Sequence, residues 1–353
     1  MSAPTFSSLG WDAERAAAFA ALDDDSLTPA RVTRVDRGGC DLLTADGPWR
    51  ATYGSGVLTT LPCTGDWIGA RRWPDDRVTI EVVLERRTLV QRVVVTPGQS
   101  ASQPLVANVD VVLIAEGAVP DPDLGRLERL LAVAWESGAA PVILLTKADL
   151  AGDAIDVLVD DVVAIAPGAP VHAVSSVTGD GLEGVREHLG PGRTAALLGA
   201  SGVGKSTLVN ALAGVTVMAT RMLRADGKGR HTTVTRELIP LPDGTVLVDT
   251  PGLRSIGLNV ARENVGRVFA DIEELASRCR FGDCTHEVEP DCAVRAALDA
   301  GELAERRMRS WRKLQREALY QQARVDQRLR AERRKEQLRR GREARDARGR
   351  ARR

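Results

Sequence analysis

The chain has 353 residues, enough for two or three domains at roughly 100–200 residues per domain. It is 43% hydrophobic and 27% charged and has no run of about 18 apolar residues, which indicates a globular protein and excludes a bilayer-spanning one. Its start lacks the basic segment of a secretory signal, and five cysteines, an odd number in a long chain, do not form a disulfide framework. We therefore expect a cytoplasmic protein with no membrane association.

The net formal charge is zero, but the charges are unevenly distributed along the chain. Residues 301–353 contain 20 Lys and Arg against 8 Asp and Glu, whereas residues 1–300 contain 28 against 40. An acidic body with a strongly basic end predicts a polyanionic partner, of which nucleic acid is the commonest.

The N-terminal part divides into an extension and a β-rich region. Residues 1–30 show no sustained periodicity beyond a possible short helix at Trp11–Leu22, and we predict a mostly disordered extension. Residues 31–97 contain five short strand-like runs separated by Gly, Pro and Asp clusters, which suits a small closed barrel, with the OB-fold as first choice. The predicted strands are Arg31–Val35, Trp49–Tyr53, Asp66–Arg72, Val78–Leu84 and Leu89–Val95.

Residues 98–258 alternate between strand-like and helix-like segments, and several strands are continuously apolar, which predicts a mostly parallel sheet covered on both faces. Residues 259–319 are predicted to be helical, and residues 320–353 form an Arg-rich tail. The predicted strands of the sheet are Val109–Ala115, Val142–Thr146, Val171–Ser175, Ala195–Leu198, Val234–Ile239 and Thr245–Val248, and the helices are Leu124–Ser137, Ala154–Val163, Leu182–Leu189 and one from Lys205.

The strongest chemical signal is a phosphate-binding motif, G-x-x-x-x-G-K-[ST], between an apolar strand and a helix. Its backbone N–H groups can wrap phosphates, Lys205 can neutralise β and γ oxygens, and the Ser206 hydroxyl can ligate Mg²⁺. The predicted phosphate-binding residues are Gly199, Ala200, Ser201, Gly202, Val203, Gly204, Lys205, Ser206 and Thr207.

A second motif, Asp249-Thr-Pro-Gly252, follows this loop by about 45 residues and closes another apolar strand. Asp249 at a strand end can hold the Mg²⁺ shell through water, and the Gly252 amide can bond a γ-phosphate. Asp-x-x-Gly alone is weak because both residues crowd ordinary turns, but its position after the phosphate loop makes it informative.

Two further strand ends carry residues that can read a base. In Thr146-Lys147-Ala148-Asp149, the carboxylate can accept hydrogen bonds from the N1–H and 2-amino groups of guanine, which adenine does not offer, while the Lys147 stem can lie along the ring. Ser175-Ser176, at the next strand end, can present a backbone N–H to the guanine O6. The two segments together predict guanine specificity.

The order of these motifs is unusual, because the guanine-reading segments precede the phosphate loop. Ordinary small GTPases have the reverse order, so the sequence resembles a circularly permuted GTPase. Such permutation is tolerated where chain ends lie close together.

The segment Gly229-Arg-His231-Thr232-Thr233 lies between the phosphate loop and Asp249. Either Thr232 or Thr233 can bind Mg²⁺ and the γ-phosphate, and spacing does not choose between them. Leu253 stands where many GTPases have a water-orienting Gln, which predicts slow intrinsic hydrolysis. His231 is a candidate replacement for the Gln, and the alternative is an ordinary solvent-exposed histidine.

Four soft metal ligands fall within 14 residues, in the spacing Cys279-x4-Cys284-x-His286-x5-Cys292. Three thiolates and one imidazole predict a single closed, structural zinc ion, and a chance cluster or a redox disulfide are the alternatives. Zinc would fold a small helical domain that is otherwise short of core. Cys40 and Cys63 have no such neighbours and are predicted to be core residues.

The region from about Arg31 to Leu319 resembles ribosome small-subunit-dependent GTPase A, a permuted GTPase family with an N-terminal OB-fold and a C-terminal zinc domain. The resemblance depends on a specific combination of motifs. They are Glu85-Arg-Arg-Thr-Leu-Val-Gln-Arg92, Ala107-Asn-Val-Asp110, Thr146–Asp149, the phosphate loop, Gly229–Thr233, Asp249–Gly252 and the Cys279/Cys284/His286/Cys292 spacing.

This resemblance implies a monomeric factor that binds the 30S subunit and its 16S rRNA late in assembly, hydrolyses GTP to GDP there with Mg²⁺, and then leaves. Thr146 departs from the family pattern, which usually has Asn, and the lost amide tether predicts weaker nucleotide binding. The N-terminal extension and the Arg-rich tail also lie outside the family's core pattern.

Two features support RNA binding, each with an ordinary alternative. The basic tail can neutralise many phosphates, although the stretch through Glu317 equally fits a solvated helix. Trp49, Tyr53, Trp67 and Trp73 can stack on bases, although core packing is the expected role of at least two.

Two other functions remain open at this stage. One is a nucleotide-stabilised rRNA-binding assembly platform whose hydrolysis is incidental. The other is a permuted GTPase that serves the large subunit.

Overall fold

The computed structural model describes residues 5–53, 60–96, 99–217, 236–250 and 260–322. The first unit is a closed five-stranded barrel, as predicted. Strand β1 pairs with β2 and β4, β2 with β3, β4 with β5, and β3 with β5 in parallel. The strands are β1 (Leu27–Asp36), β2 (Gly39–Thr44), β3 (Gly47–Tyr53), β4 (Trp67–Arg72) and β5 (Val78–Val83).

Alternate residues of the barrel strands point inward and form its core, which is the period of two that a strand imposes. Ala30 and Val32 on β1 meet Ile68 and Ala70 on β4 there. Cys40 lies in this core, in agreement with the prediction.

The composition of the barrel differs from the prediction in one strand. Gly39–Thr44 is a barrel strand that the sequence prediction missed because it begins at the second of two adjacent glycines, which are typical of a turn. Gly39 permits a close strand contact, since a Cβ there would lie 2.1 Å from the carbonyl oxygen of Ala51. Leu89–Val95, assigned to the barrel, instead forms β6 (Leu89–Thr96), which pairs with the unpredicted β7 (Gln99–Ala107) in a separate sheet.

The N-terminal segment is more ordered than predicted. Asp12 caps helix α1 (Ala13–Ala20) by accepting a hydrogen bond from the backbone N–H of Arg15 at 3.0 Å. Phe6 and Trp11 pack on Trp67 of the barrel, with ring centroids 5.6 and 4.7 Å away. Leu9 is fully buried. These apolar residues are scattered in the sequence without periodicity. Burial of their surface against the barrel explains why the N-terminal segment is ordered.

A six-stranded sheet follows the barrel and carries the predicted alternation of strands and helices. Its order is β10-β9-β8-β11-β13-β12, parallel except for β12, and one pair between β12 and β1 joins it to the barrel. Its strands are β8 (Val111–Gly117), β9 (Ala140–Thr146), β10 (Val171–Val174), β11 (Thr194–Gly199), β12 (Glu237–Pro240) and β13 (Val246–Asp249).

Helices cover both faces of this sheet. Along β8, Val112 and Ile114 belong to one core, whereas Leu113 and Ala115 belong to the other, so both faces are dry. The helices are α2 (Leu124–Ser137), α3 (Ile155–Ile165), α4 (Leu182–Arg186), α5 (Lys205–Ala213), α6 (Arg262–Val268), α7 (Ala270–Ser277), α8 (Ala293–Asp299) and α9 (residues 305–322). None of the described helices has both the length and the apolar character that a membrane crossing requires.

The C-terminal helices dock on α2 through buried charge. Glu128, with no exposed surface, accepts hydrogen bonds from Arg306 and Arg307, and Arg307 also pairs with Asp271 at 2.7 Å. Arg129 pairs with Glu317 at 2.6 Å on the same contact. These pairs fix the helical region against the sheet domain.

Candidate functional site

The phosphate loop joins β11 to α5 at the carboxyl edge of the parallel sheet. Gly199, Gly202 and Gly204 adopt φ values of +150°, +86° and +97°, which other residues rarely adopt. Gly204 precedes α5 and offers no side-chain cap, so the first N–H groups of the helix are open to a phosphate. The loop therefore has the backbone that its motif predicted.

Lys205 is folded over this loop. Its Nζ donates to the carbonyl oxygens of Gly199 at 3.0 Å and Ala200 at 2.8 Å, and the residue is 8% exposed. Burial lowers the pKa of Lys205, whereas nearby Asp249 raises it. Phosphate oxygens are stronger partners for an ammonium than neutral carbonyls, so a nucleotide can recruit this side chain. Ser206 is half-buried and Thr207 is exposed at the start of the same helix.

Asp249 ends β13, beside Leu197 of β11. Its Oδ1 is buried and has no hydrogen-bond partner among the described residues. Burial raises the pKa of this carboxyl, and Lys205 opposes that shift. This buried carboxylate oxygen without a described partner is a hard ligand for a metal ion. Together with the hydroxyl of Ser206, which follows the phosphate loop, it fits Mg²⁺.

The guanine-reading segment is tied directly to the phosphate loop. The Thr146 hydroxyl lies 2.6 Å from the carbonyl oxygen of Val203, and Lys147 Nζ donates to the carbonyl oxygen of Gly202 at 2.8 Å. The missing amide tether is therefore replaced by a hydroxyl tether, which the sequence prediction did not include. A hydroxyl, shorter than an amide, reaches this carbonyl because Thr146 is buried at the end of β9.

Ala148 and Asp149 follow in a short turn, in which Asp149 is exposed. Ser175 comes into the same region because Val174 of β10 pairs with Thr146 of β9. The Ser175 hydroxyl accepts hydrogen bonds from the backbone N–H groups of Val177 and Thr178, so this buried side chain shapes its loop. Ser176 is half-buried beside it.

One residue of the site was missed at the sequence level. Thr250, directly after Asp249, has no exposed surface, and its hydroxyl donates to the carbonyl oxygen of Leu197 at 2.6 Å. This bond fixes the end of β13 beside the strand that leads into the phosphate loop. Its only sequence signal is its place inside the Asp249–Gly252 motif.

Four predicted catalytic residues lie outside the described residues, and their assignments stay predictions. They are His231, Thr232, Thr233 and Gly252.

The four predicted zinc ligands converge at one point between α7 and α8. Their ligand atoms all lie within 4.8 Å of one another. Cys279 Sγ lies 3.8 Å from Cys292 Sγ, and His286 Nδ1 lies 3.6 and 3.5 Å from these two sulfurs. A tetrahedral zinc ion with bonds of about 2.3 Å to sulfur and 2.0–2.1 Å to nitrogen requires separations of about 3.8 and 3.6 Å. The residues fit one structural zinc ion, and the cysteines are free thiols at non-disulfide distances.

Polar side chains support the backbone around these ligands. Glu289 accepts hydrogen bonds from the Thr285 hydroxyl and from the backbone N–H groups of Thr285, Glu287 and Val288, and this bonding, above all that of the hydroxyl, holds the pKa of its carboxyl far below the usual range. Arg312 of α9 donates to the carbonyl oxygen of His286 at 2.7 Å. The loop between the second and fourth ligands is thus shaped by hydrogen bonds rather than by a core of its own.

Together, the parallel sheet, the phosphate loop, Asp249 and the guanine-reading segments placed ahead of that loop in the chain define a circularly permuted P-loop GTPase. A zinc-type cluster lies beside it. The family model described as RsgA GTPase matches residues 83–259. The chain belongs to this family.

Curated relatives extend the likeness beyond the GTPase domain. One from Streptomyces coelicolor is 50% identical over 95% of this chain and 92% of its own length, and one from Opitutus terrae is 44% identical over 91% and 92%. Both are called "Small ribosomal subunit biogenesis GTPase RsgA". A model of ABC transporters also matches residues 182–343, a range that contains the phosphate loop common to P-loop proteins.

Among solved structures, YjeQ from Thermotoga maritima matches with a TM-score of 0.61 and 26% identity, over 83% of this chain and 99% of that one. YloQ, titled a circularly permuted GTPase, matches with a TM-score of 0.56 and 24% identity over 83% and 96%. These matches confirm the predicted fold class, with its permuted GTPase domain.

Proposed function

We propose that this protein binds the small (30S) ribosomal subunit late in its maturation and hydrolyses GTP to GDP there, which drives its own release. The observation that carries this proposal is the 50% identity, over 95% of the chain, to a small ribosomal subunit biogenesis GTPase. The chain retains both halves of a GTP site, joined by the bonds from Thr146 and Lys147 to the phosphate loop. Its setting is the cytoplasm, and it acts as a monomer.

Within the GTP site, each residue has a proposed task. Asp149 pairs with guanine, and Lys205 leaves its two carbonyl partners to bind the β- and γ-phosphates. Ser206 and Asp249 are the residues placed to hold Mg²⁺, directly and through water. When bound with the nucleotide, Mg²⁺ neutralises phosphate charge that develops as the γ-phosphoryl group leaves.

The residues outside the described part of the chain complete this proposal. Gly252 and either Thr232 or Thr233 sense the γ-phosphate, and His231 orients the attacking water in place of the missing Gln. These contacts are lost when the γ-phosphate leaves after hydrolysis. We expect their loss to lower the affinity of the protein for the subunit.

Contact with 16S rRNA is assigned to the barrel and the basic C-terminal region. Trp73 is 37% exposed and flanked by the guanidinium groups of Arg71 and Arg77, 5.6 and 5.3 Å from its ring centroid. An aromatic ring between two cations can stack on an unpaired base. Trp67 is 1% exposed and is a core residue, so stacking is proposed for Trp73 and for Tyr53, which is 41% exposed, but not for Trp67.

The test is GTP hydrolysis by the purified chain, alone and with added 30S or 50S subunits, with ATP as the control nucleotide. We expect strong stimulation by 30S subunits only, and no stimulation of Lys205→Ala. Stimulation by 50S subunits alone would reassign the protein to the large subunit, and no stimulation by either would overturn the proposal.

A second measurement separates the GTPase from an assembly platform. Affinity for 30S subunits is compared with GDP and with a non-hydrolysable GTP analogue. We expect much tighter binding with the analogue, because release follows hydrolysis. Equal affinity in both states would favour the nucleotide-stabilised platform.

A further inference from the structure

A cleft of about 270 Å³ lies where the N-terminal segment, the barrel and the GTPase sheet meet. It is lined by residues at the starting ends of β8 and β11, among them Asp110 and Thr194. The phosphate loop lies at the other ends of these parallel strands. The cleft is therefore a separate place from the nucleotide site.

Arg31 is the most deeply buried charged group of this cleft, with 1% exposure. Its guanidinium donates to the carbonyl oxygen of Leu9 and to the Thr194 hydroxyl, the latter at 2.7 Å, and it lies 5.3 Å from the ring centroid of Trp67. All these partners are neutral. Its Nε is buried and unpartnered within the described structure. The carboxylates of Asp110 and Asp66 act on Arg31 through space, but neither hydrogen-bonds to it in the described structure, and a buried cation without a direct ion pair is costly.

Three more arginines line the same cleft, and they are increasingly exposed. The side chains of Arg15 and Arg87 are 14% and 36% exposed, and Arg193 is exposed. Arg193 donates to the carbonyl oxygen of His188 at 3.1 Å, again a neutral partner. The cleft thus carries positive charge from its surface to its buried end.

Two carboxylates line the cleft, and both are already engaged. Asp12 accepts hydrogen bonds from Arg87 at 2.8 Å and from Arg15 at 2.9 Å. Asp110 accepts one from the backbone N–H of Thr194 at 2.7 Å. Glu14, just outside the lining, also pairs with Arg87 at 2.6 Å, so four guanidinium groups face three carboxylates and keep a surplus of one positive charge.

We propose that this cleft binds a small phosphate-bearing anion, at a site distinct from the guanine-nucleotide site. Guanidinium groups match phosphate oxygens in pairs, and a partly buried setting strengthens each charge-assisted bond. A volume of about 270 Å³ accommodates a pyrophosphate-sized group but not a nucleic-acid duplex.

The electrostatics of the arginines agree with this assignment. Burial and, to a smaller extent, the charge of Arg15 lower the pKa of Arg31 to about 9, although the charges of Asp110 and Asp66 oppose the shift. Burial, followed by the charge of Arg87, lowers the pKa of Arg15. A bound anion would relieve this mutual repulsion of like charges.

The test is equilibrium dialysis of radiolabelled pyrophosphate against the full chain, with excess GDP filling the nucleotide site and no added Mg²⁺. We expect one pyrophosphate per chain. Arg193→Glu, an exposed change that leaves the core intact, is expected to weaken binding by about tenfold or more because it reverses a contacting charge. Asp12→Asn, which removes a competing carboxylate and keeps a capping oxygen, is expected to strengthen binding severalfold.

The matched control is Arg309→Glu, which makes the same charge change at a side chain that is 72% exposed on α9. It should bind pyrophosphate as the unmodified chain does, and thermal melting should show that all variants fold. Loss of binding when GDP is added would place the anion in the phosphate loop and overturn the proposal. Equal effects of Arg193→Glu and Arg309→Glu, or weaker binding by Asp12→Asn, would also contradict it.

Discussion

The nucleotide site and the zinc-type cluster depend on different parts of the fold. Around the phosphate loop, buried strands such as β8 and β11 provide the structure, and Lys205 and Asp249 are placed at their edge. Around Cys279, Cys284, His286 and Cys292, the ligands themselves converge, and hydrogen bonds from Glu289 and Arg312 shape the loop. Both sites border a buried core, but the loop that carries the metal ligands has few buried residues of its own and depends on those ligands for its cross-link.

This difference has an energetic consequence. Removing a nucleotide leaves a sheet whose two faces remain buried, so the GTPase domain should stay folded. Removing zinc takes away the main cross-link of the loop between α7 and α8, so this loop and the helix ends beside it should lose their fixed arrangement. Perturbations of the two sites should therefore separate loss of function from loss of fold.

The largest expected effect is at the zinc cluster. Cys292→Ser should abolish zinc binding and unfold the region around α7 and α8, because structural zinc contributes roughly 10–16 kcal/mol to such sites. Zinc content by mass spectrometry and helicity by circular dichroism check this. Cys40→Ser, at a buried barrel cysteine, is the control and should retain one zinc ion per chain. A fully helical, zinc-free Cys292→Ser protein would contradict the comparison.

The next effect concerns how the helices beside the zinc-type cluster dock on the GTPase domain. Arg307→Met leaves Glu128 buried with a weakened counter-charge and should cost about 3–5 kcal/mol, measured by urea unfolding. Arg309→Met, at an exposed position of the same helix, should change stability by less than about 0.5 kcal/mol. A cost for Arg307→Met as small as that of Arg309→Met would mean that the pair with Glu128 is not a stabilising contact.

At the nucleotide site, Lys205→Ala should lower GTP hydrolysis by about 100-fold to 1,000-fold, because it removes a preorganised positive charge from the phosphates. Its melting temperature in the absence of nucleotide should change little, since relief from burying the ammonium offsets the loss of two carbonyl hydrogen bonds and of the attraction to Asp249. Turnover and thermal melting measure the two properties separately. A collapse of stability would show that this site, too, supports the fold.

Many of the helices and strands could be predicted from the sequence, because the periodic pattern of apolar residues that produces a buried face lies within each segment. Helix α2 has its predicted bounds, since its apolar face repeats and Gly138 ends it with φ of +83°. The phosphate loop and the four metal ligands were assigned from spacing alone, because their chemistry requires fixed residue types. Strand β2 was missed because its paired glycines, read as a loop, serve a close contact that only the fold reveals.

Other features depend on partners far away in the chain. The order of the N-terminal segment depends on Trp67, more than 50 residues later, and no local pattern encodes that contact. The hydroxyl tether of Thr146 to Val203 was not predicted, because only the missing amide of the family pattern was considered. Arg31 likewise looks like an ordinary strand residue in the sequence. Only the fold brings it into hydrogen bonds with Leu9 and Thr194, which are distant in the chain.

A smaller effect is expected at the tether itself. Thr146→Val removes the hydroxyl that bonds the Val203 carbonyl and should weaken GDP binding by about 1 kcal/mol, or roughly fivefold. Thr146→Ser keeps the hydroxyl and is the matched control, with near-normal affinity. Rates of release of a fluorescent GDP analogue measure both. Equal release rates for the Val and Ser variants would show that the bond does not support nucleotide binding.

The smallest effect, and the one with an inverted sign, is at Asp249. Burial raises the pKa of this carboxyl above its usual value of 3.8, so the folded, nucleotide-free protein binds more protons than the unfolded chain between those two pKa values. The contribution of the Asp249 carboxyl to the free energy of unfolding is therefore fully present below pH 3.8 and is lost as the pH rises through the pKa of the folded state. At neutral pH the ionised carboxylate, whose Oδ1 has no partner among the described residues, opposes folding. Asp249→Asn should therefore have a higher melting temperature than the unmodified chain at pH 7, and the difference in melting temperature should shrink toward pH 4. With GDP and Mg²⁺ the order should reverse, because a carboxylate binds the ion shell better than an amide does. Melting curves at pH 4 and pH 7, with and without nucleotide, test this sign, and a less stable Asp249→Asn protein at pH 7 without nucleotide would show that Asp249 supports the fold.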